Sequence, residues 1–198
     1  CLLSRGLGDV YKRQEVGSRV LDWDNLDMLY AGCQKNLGVA GTVLVVIKNE
    51  LLARSQAPTP FNYQEHALAG SRLNTPPTFG IVVLRRMLEW IQQHGGVQSM
   101  ALRAQQRAQF LYEAIESTQG YWRAHASTES RSLMNITWHG PNPEAESQFL
   151  SQAKSLGFSG LKGHRSVGGL RASVYNAADE AACEKLAELI QSSPRSSK

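Results

Sequence analysis

The chain has 198 residues, 42% of them hydrophobic, 19% charged and 8% aromatic, with 17 Gly and 7 Pro. That composition excludes collagen-like, low-complexity and wholly disordered chains, and the longest apolar runs, Thr42–Ile47 and Ile81–Leu84, fall far short of the roughly 20 residues of a membrane helix, so a soluble protein without a membrane partner is expected. The net charge of +4 sits at the ends: Arg5, Lys12 and Arg13 against Asp9 give residues 1–14 a surplus of two, Arg195 and Lys198 give the tail another two, and the neutral body lacks the basic stripe of a nucleic-acid-binding fold.

Residues 1–14 carry no helix or strand period and lack the basic segment, apolar core and cleavage site of a signal peptide. They resemble translated sequencing-adaptor readthrough and are set aside as a non-native leader, which makes the chain the C-terminal part of a longer protein. From there the pattern predicts a short strand at Leu29–Ala31, a Gly-punctuated loop, a β-branched strand over Thr42–Ile47 and a helical turn at Asn49–Ala53. Pro58, Pro60, Pro76 and Pro77 mark an irregular stretch over about 55–78, a length often reserved for function. Thr78 opens an apolar-periodic helix over Phe79–His94 that stops at Gly95-Gly96. A second helix follows over Val97–Ser117, with Met100, Ala104, Ala108, Leu111 and Ile115 forming one stripe. A strand at Ser132–Trp138, a turn at Gly140–Pro143, a helix at Glu144–Leu156, a strand at Leu170–Tyr175 and a helix at Asp179–Gln191 complete the order, before a polar tail over 192–198. The break near residue 95 separates the end of an α/β domain (15–95) from a small α+β domain (96–191).

Three segments could carry chemistry. In Tyr30–Gly41 a single Lys35 stands between a strand and a Gly-rich loop, beside Gln34 and Asn36. A desolvated lysine there can act as a Schiff-base nucleophile, or it is an ordinary surface lysine at a strand end. In Asn74-Thr75-Pro76-Pro77-Thr78-Phe79 a stiff diproline ahead of a helix start presents amide, hydroxyl and N–H donors to an anion, unless Thr75 or Thr78 caps the helix. In Lys162–Asn176, His164, Arg165 and Arg171 fall within eight residues among glycines. They suit a small dianionic ligand, or are unrelated charges of a solvated loop. The odd, scattered Cys1, Cys33 and Cys183 supply neither a disulfide framework nor a metal site, and fit a reducing cytoplasm.

Taken together and in this order, Tyr30–Gly41, Asn74–Phe79 and Gly163–Asn176, with Gly95-Gly96-Val97 and Ser130–Asn135, resemble the phosphoserine aminotransferases, pyridoxal-phosphate (PLP) enzymes of the fold-type I class. The resemblance runs from about Ser18 to Gln191. It implies an α/β fold in which 15–95 is the end of the large PLP-binding domain, an incomplete mixed sheet with helices, followed by a small C-terminal α+β domain. It implies PLP carried covalently on Lys35, with Gln34 beside it. Asn74 and Thr75 would hold the PLP phosphate, across a homodimer interface. His164 and Arg165 would hold the substrate phosphate, and Arg171 the substrate α-carboxylate. The implied reaction passes an amino group from glutamate to 3-phosphooxypyruvate, giving phosphoserine, or serves phosphohydroxythreonine in vitamin B6 synthesis. Family members are longer, and their N-terminal half would hold the aspartate facing the pyridine nitrogen and the aromatic stacked on the ring. This chain alone would then be inactive, with apolar strand edges exposed. Two other readings stand beside this one: a cysteine desulfurase, which needs a mobile nucleophilic Cys that neither Cys33 nor Cys183 is well placed to supply, and a non-catalytic small-anion-binding module.

Overall fold

The computed structural model describes residues 9–11, 16–54 and 56–193. The chain divides into two units, Cys1–Gln98 and Ser99–Lys198. The readings made for residues 1–8, 12–15 and 194–198 lie outside the described residues.

The first unit is built on a mixed three-stranded sheet, in the order β1 (Asp9–Tyr11), β2 (Met28–Gly32), β3 (Val43–Ile47). β1 runs parallel to β2, Asp9 opposite Met28 and Tyr11 opposite Tyr30. Nothing in the pattern of residues 1–14 foretells this strand. Three residues are too few to show alternation, and the pairing draws on backbone groups that β2 offers along its edge. β2 alternates in burial, with Leu29 and Ala31 inside, and pairs antiparallel with β3, Met28 opposite Ile47 and Gly32 opposite Val43. At the sheet edge β3 leaves Val43 and Val46 exposed.

Two short helices follow, α1 (Asn49–Leu52) and α2 (Tyr63–Leu68). The second falls inside the stretch read as irregular. The Asn62 side chain accepts the Gln64 N–H at 2.9 Å and so starts a helix between the two proline pairs. α3 (Thr78–Gln93) carries the predicted periodic run, and its C-terminal His94 ring nitrogen reaches the Trp90 carbonyl at 2.8 Å.

The second unit holds α4 (Gly96–Ser117), whose first turn the division assigns to the first unit; the chain re-enters helix directly after Gly95, so the glycine pair ends α3 without ending the unit. An antiparallel sheet follows in the order β4 (Arg123–Ala124), β5 (Asn135–His139), β6 (Leu170–Ser173). β5 starts three residues later than its apolar pattern suggests, because Ser132 Oγ accepts the N–H groups of Met134 and Asn135, each at 3.1 Å, and holds that segment as a turn. Helices α5 (Pro143–Ser155) and α6 (Glu180–Ser192) are both capped, Asn142 accepting from Ala145 at 2.8 Å and Asp179 from Ala181 at 3.1 Å.

Ile136 and Trp138 of β5, Leu170 and Ala172 of β6, and the stripes of α4, α5 and α6 close one apolar core. Phe149 meets Trp122 and Trp138 edge-on, with ring centroids 5.1 Å and 6.0 Å away. The two tryptophans differ in polar bookkeeping. Trp122 Nε1 donates to Ile190 O at 3.1 Å and Ser193 Oγ at 2.9 Å, whereas Trp138 Nε1 is buried without an acceptor. Replacing each with Phe removes similar volume, but only Trp122→Phe breaks a satisfied bond. Urea unfolding followed by circular dichroism should therefore show Trp122→Phe less stable than Trp138→Phe by about 1–2 kcal/mol.

Candidate active site

Residues 33–42 join β2 to β3, and the Cys33 N–H closes the base of this loop on Thr42 O at 2.9 Å. Inside it, Lys35 pairs with Gly38 in an isolated antiparallel bridge. That tight reversal requires Lys35 at φ +83°, a conformation L residues with side chains adopt only where surrounding contacts enforce it. Cys33, Asn36 and Leu37 supply that enforcement: all three are buried, and the Asn36 side-chain amide donates to Val16 O at 3.4 Å. Lys35 is the residue the turn leaves exposed, with Gln34 half-buried beside it. The Gln34 amide occupies the space where a β-carbon on Gly32 would sit, 2.4 Å from its Oε1.

The start of α3 packs on the same loop. A β-carbon on Gly80 would fall 2.1 Å from Thr42 Oγ1, and one on Gly38 would lie 3.1 Å from Val83 Cγ1. Asn74 and Thr75, both exposed, immediately precede this helix start. Neither Thr75 nor Thr78 caps it. Pro77 stands at the N-cap with no side-chain cap bond, and Thr78 Oγ1 turns instead to Pro76 O at 3.4 Å. The capping alternative is thus overturned, and the diproline fixes the entry while the first-turn N–H groups keep no side-chain acceptor. Gln34 and Lys35 are brought to one loop, and Asn74 and Thr75 to the helix start that rests on it.

His164, Arg165 and Arg171 all lie in the second unit, the first two in a loop that leads into β6 and the third on that strand. The Gly163 N–H donates to Gly169 O at 2.8 Å, and His164 O accepts from Val167 and Gly168 at 2.9 and 2.8 Å, so residues 163–169 form a closed loop. His164 Nδ1 lies 2.7 Å from Ser166 Oγ, and both His164 and Arg165 face solvent. Lys162 bridges Leu170, and the Arg171 N–H donates to Leu161 O at 2.7 Å, which ties the loop to β6. Leu170 and Ala172 point into the core; Arg171 therefore stands on the opposite face, across from Thr137. Ser173 and Asn135 share that face, Ser173 Oγ donating to Asn135 Oδ1 at 3.0 Å. The sequence reading did not single out these two, although the alternation of β6 is the signal that assigns them. Arg171 Nε is buried without an acceptor, while the residue as a whole is half-buried on this polar face.

Both described cysteines are free and buried. Burial pushes the Cys33 thiol above its ordinary range, against a smaller opposing pull from a backbone hydrogen bond to Leu44. Cys183 is likewise raised by burial, with the Arg107 cation pulling the other way. Neither is the exposed, low-pKa thiolate that a nucleophile needs.

The family model for aminotransferase class-V matches residues 12–186. A phosphoserine aminotransferase of Halalkalibacterium halodurans is 48% identical over 180 residues, which cover 90% of this chain and 50% of that protein. The solved phosphoserine aminotransferase of Bacillus circulans subsp. alkalophilus superposes with a TM-score of 0.91 at 38% identity, over 96% of this chain and 53% of that one. The PLP-bound phosphoserine aminotransferase of Trichomonas vaginalis gives 0.85 at 30% identity, over 92% and 53%. The chain spans about half the length of these relatives. It belongs to the class-V aminotransferase family.

Proposed function

We propose that the protein is a PLP-dependent phosphoserine aminotransferase, passing an amino group between glutamate and 3-phosphooxypyruvate to give phosphoserine and 2-oxoglutarate. The observation that carries this reading is the pairing of Arg171, half-buried on the polar face of β6, with the exposed His164 and Arg165 of the loop tied to the same strand. A substrate bearing both a carboxylate and a phosphate would satisfy both groups. The likeness to phosphoserine aminotransferases of 38–48% identity supports the same substrate class.

The residues of the first unit fit PLP. Lys35 presents an exposed primary amine from a turn in which Asn36 and Leu37 are buried, Gln34 flanks it, and the uncapped start of α3 behind Asn74 and Thr75 suits a phosphate. PLP, when bound, supplies an electron sink for the pair left behind when the substrate Cα loses a proton. Lys35 Nζ would hold the cofactor and, once displaced by the substrate amine, would take that proton from Cα. Arg171 would fix the carboxylate and with it which Cα bond is broken, while His164 and Arg165 would select a phosphate-bearing side chain. We infer a homodimer in which Asn74 and Thr75 serve the neighbouring copy's cofactor; the exposed Phe79, Ile81 and Val82 that follow them offer apolar surface for such an interface. The unpaired Cys33 and Cys183 support a cytoplasmic location, and among the described residues no helix is long and apolar enough to cross a membrane.

Borohydride reduction of the chain with PLP, followed by peptide mass mapping, is expected to label Lys35 ahead of every other lysine. Uniform labelling would sink the assignment. O-Phosphoserine titrated into the chain and followed by NMR should bind at least about tenfold more weakly in Arg171→Ala and in Arg165→Ala, the loss of one charge-assisted hydrogen bond being worth about 1.5–3 kcal/mol. Equal weakening of inorganic phosphate by Arg171→Ala would contradict its role at the carboxylate.

The desulfurase alternative is tested separately. In a Cys1→Ser variant, Ellman's reagent should leave Cys33 and Cys183 untouched in the native chain and titrate both on unfolding. A fast-reacting native thiol would revive that reading.

A further inference from the structure

The second unit brings together a pair of nitrogen donors that the proposed reaction does not use. His139 ends β5 opposite Arg123, and the His125 N–H, just past β4, donates to Thr137 O at 2.9 Å. That register makes His125 and His139 diagonal neighbours on one face of the sheet. Their rings meet, with His125 Nδ1 3.1 Å from His139 Nε2, centroids 5.1 Å apart and planes tilted by 50°. His125 is exposed and the His139 side chain is 33% exposed, so an ion in solution can reach both.

The spacing suits more than a hydrogen bond. Two imidazole nitrogens bound to one ion at about 2.0–2.1 Å, at angles between square and tetrahedral, stand roughly 2.9–3.4 Å apart. The observed 3.1 Å falls within that interval. On the far side of the ring His139 Nδ1 lies 3.9 Å from Glu146 Oε1, which itself accepts the Gly140 N–H at 3.0 Å, so a carboxylate sits near the second ring nitrogen without hydrogen-bonding to it. From a third side the ring is confined by Gly169, where a β-carbon would come within 2.6 Å of His139 Nδ1.

We propose that His125 and His139 form a binding site for a divalent transition-metal ion of the zinc class. His125 Nδ1 and His139 Nε2 are the protein ligands, and water fills the remaining positions. Among the described residues no group of three or more His, Cys, Asp or Glu side chains is placed to hold a metal, so the protein contributes two ligands and the site is an open one. In the metal-free pair one of the two facing nitrogens carries the shared proton. Binding moves that proton to the other nitrogen of its own ring, and no proton need be lost. The proposal does not rest on the transamination reading.

The test is calorimetric titration of Zn²⁺ into the chelator-stripped 198-residue chain at neutral pH, without PLP. The expected result is saturable binding that weakens about tenfold or more in His125→Ala and, separately, in His139→Ala; loss of an orienting outer partner alone costs a site about 10–100-fold. The unmodified chain provides a second reading, in which Zn²⁺ shifts the ring-proton resonances of both His125 and His139. Absence of Zn²⁺ binding, a weakening short of tenfold in either variant, or ring resonances of either histidine that stay put would each overturn the proposal.

Discussion

The charged groups of the second unit depend on one backbone contact. A β-carbon on Gly163 would lie 1.9 Å from Gly168 O and 2.7 Å from Gly169 O. Because the obstructing atoms are backbone, no rotamer change can relieve them, and only a residue without a β-carbon lets the loop close. Closure then sets everything downstream. It forms the Gly163–Gly169 hydrogen bond, turns the chain so that Lys162 bridges Leu170, and fixes the register that puts Arg171 N–H on Leu161 O. Gly169, at φ +66°, completes the turn in a region that favours glycine and lies against the His139 ring. The candidate anion groups and the histidine pair thus share one anchoring point, and Arg171 and His139 share one face of the sheet.

The first unit uses softer contacts of the same kind. The atom nearest to a β-carbon on Gly32 is the far end of Gln34, which can swing away, whereas the atom nearest to Gly80 is Thr42 Oγ1, on a short β-branched side chain that is 7% exposed. The approach of α3 to the Lys35 loop is therefore constrained more firmly than the position of Gln34. The left-handed conformation of Lys35 is maintained by burial on either side of it, at Cys33, Asn36 and Leu37. The amine is displayed by a rigid turn rather than by a loose loop.

How far the residues alone disclosed this arrangement follows from element length. The helices α3, α4 and α6 repeat apolar residues over three or more turns, and their predicted ends lie within a residue or two of Thr78–Gln93, Gly96–Ser117 and Glu180–Ser192. Elements too short to show a period were invisible: β1, the two-residue β4, and α2, which depends on the Asn62 cap. The wording around Lys35, Asn74 and His164 was legible as a family resemblance, but the geometry was not: φ at Lys35 is set by contacts distant in sequence, and Thr75 and Thr78 fail to cap because the helix starts with Pro77 at its N-cap. The same limit hid His125 and His139. Fourteen residues separate them, and only the register of β4 against β5 makes them neighbours.

Two arginines of the second unit show how environment, rather than residue type, separates scaffold from site. Arg107 is 0% exposed on the core side of α4, and its Nη1 donates to Asn176 O and Ala178 O at 3.4 and 3.3 Å, joining α4 to the segment that leads into α6. Its Nε and Nη2 find no acceptor, and burial lowers its pKa, so holding the cation there costs stability that only the two carbonyl bonds and the surrounding packing offset. No ligand can reach it. Arg171 also has an unsatisfied Nε, but it stands on the polar face of β6, half-buried, next to a loop that exposes His164 and Arg165. Its Nε is as deeply buried as that of Arg107, so any contact with a ligand falls to the rest of the half-buried guanidinium. Arg107 is thus a structural cost inside the core, whereas the alternation of β6 sets Arg171 on the face that a ligand can approach.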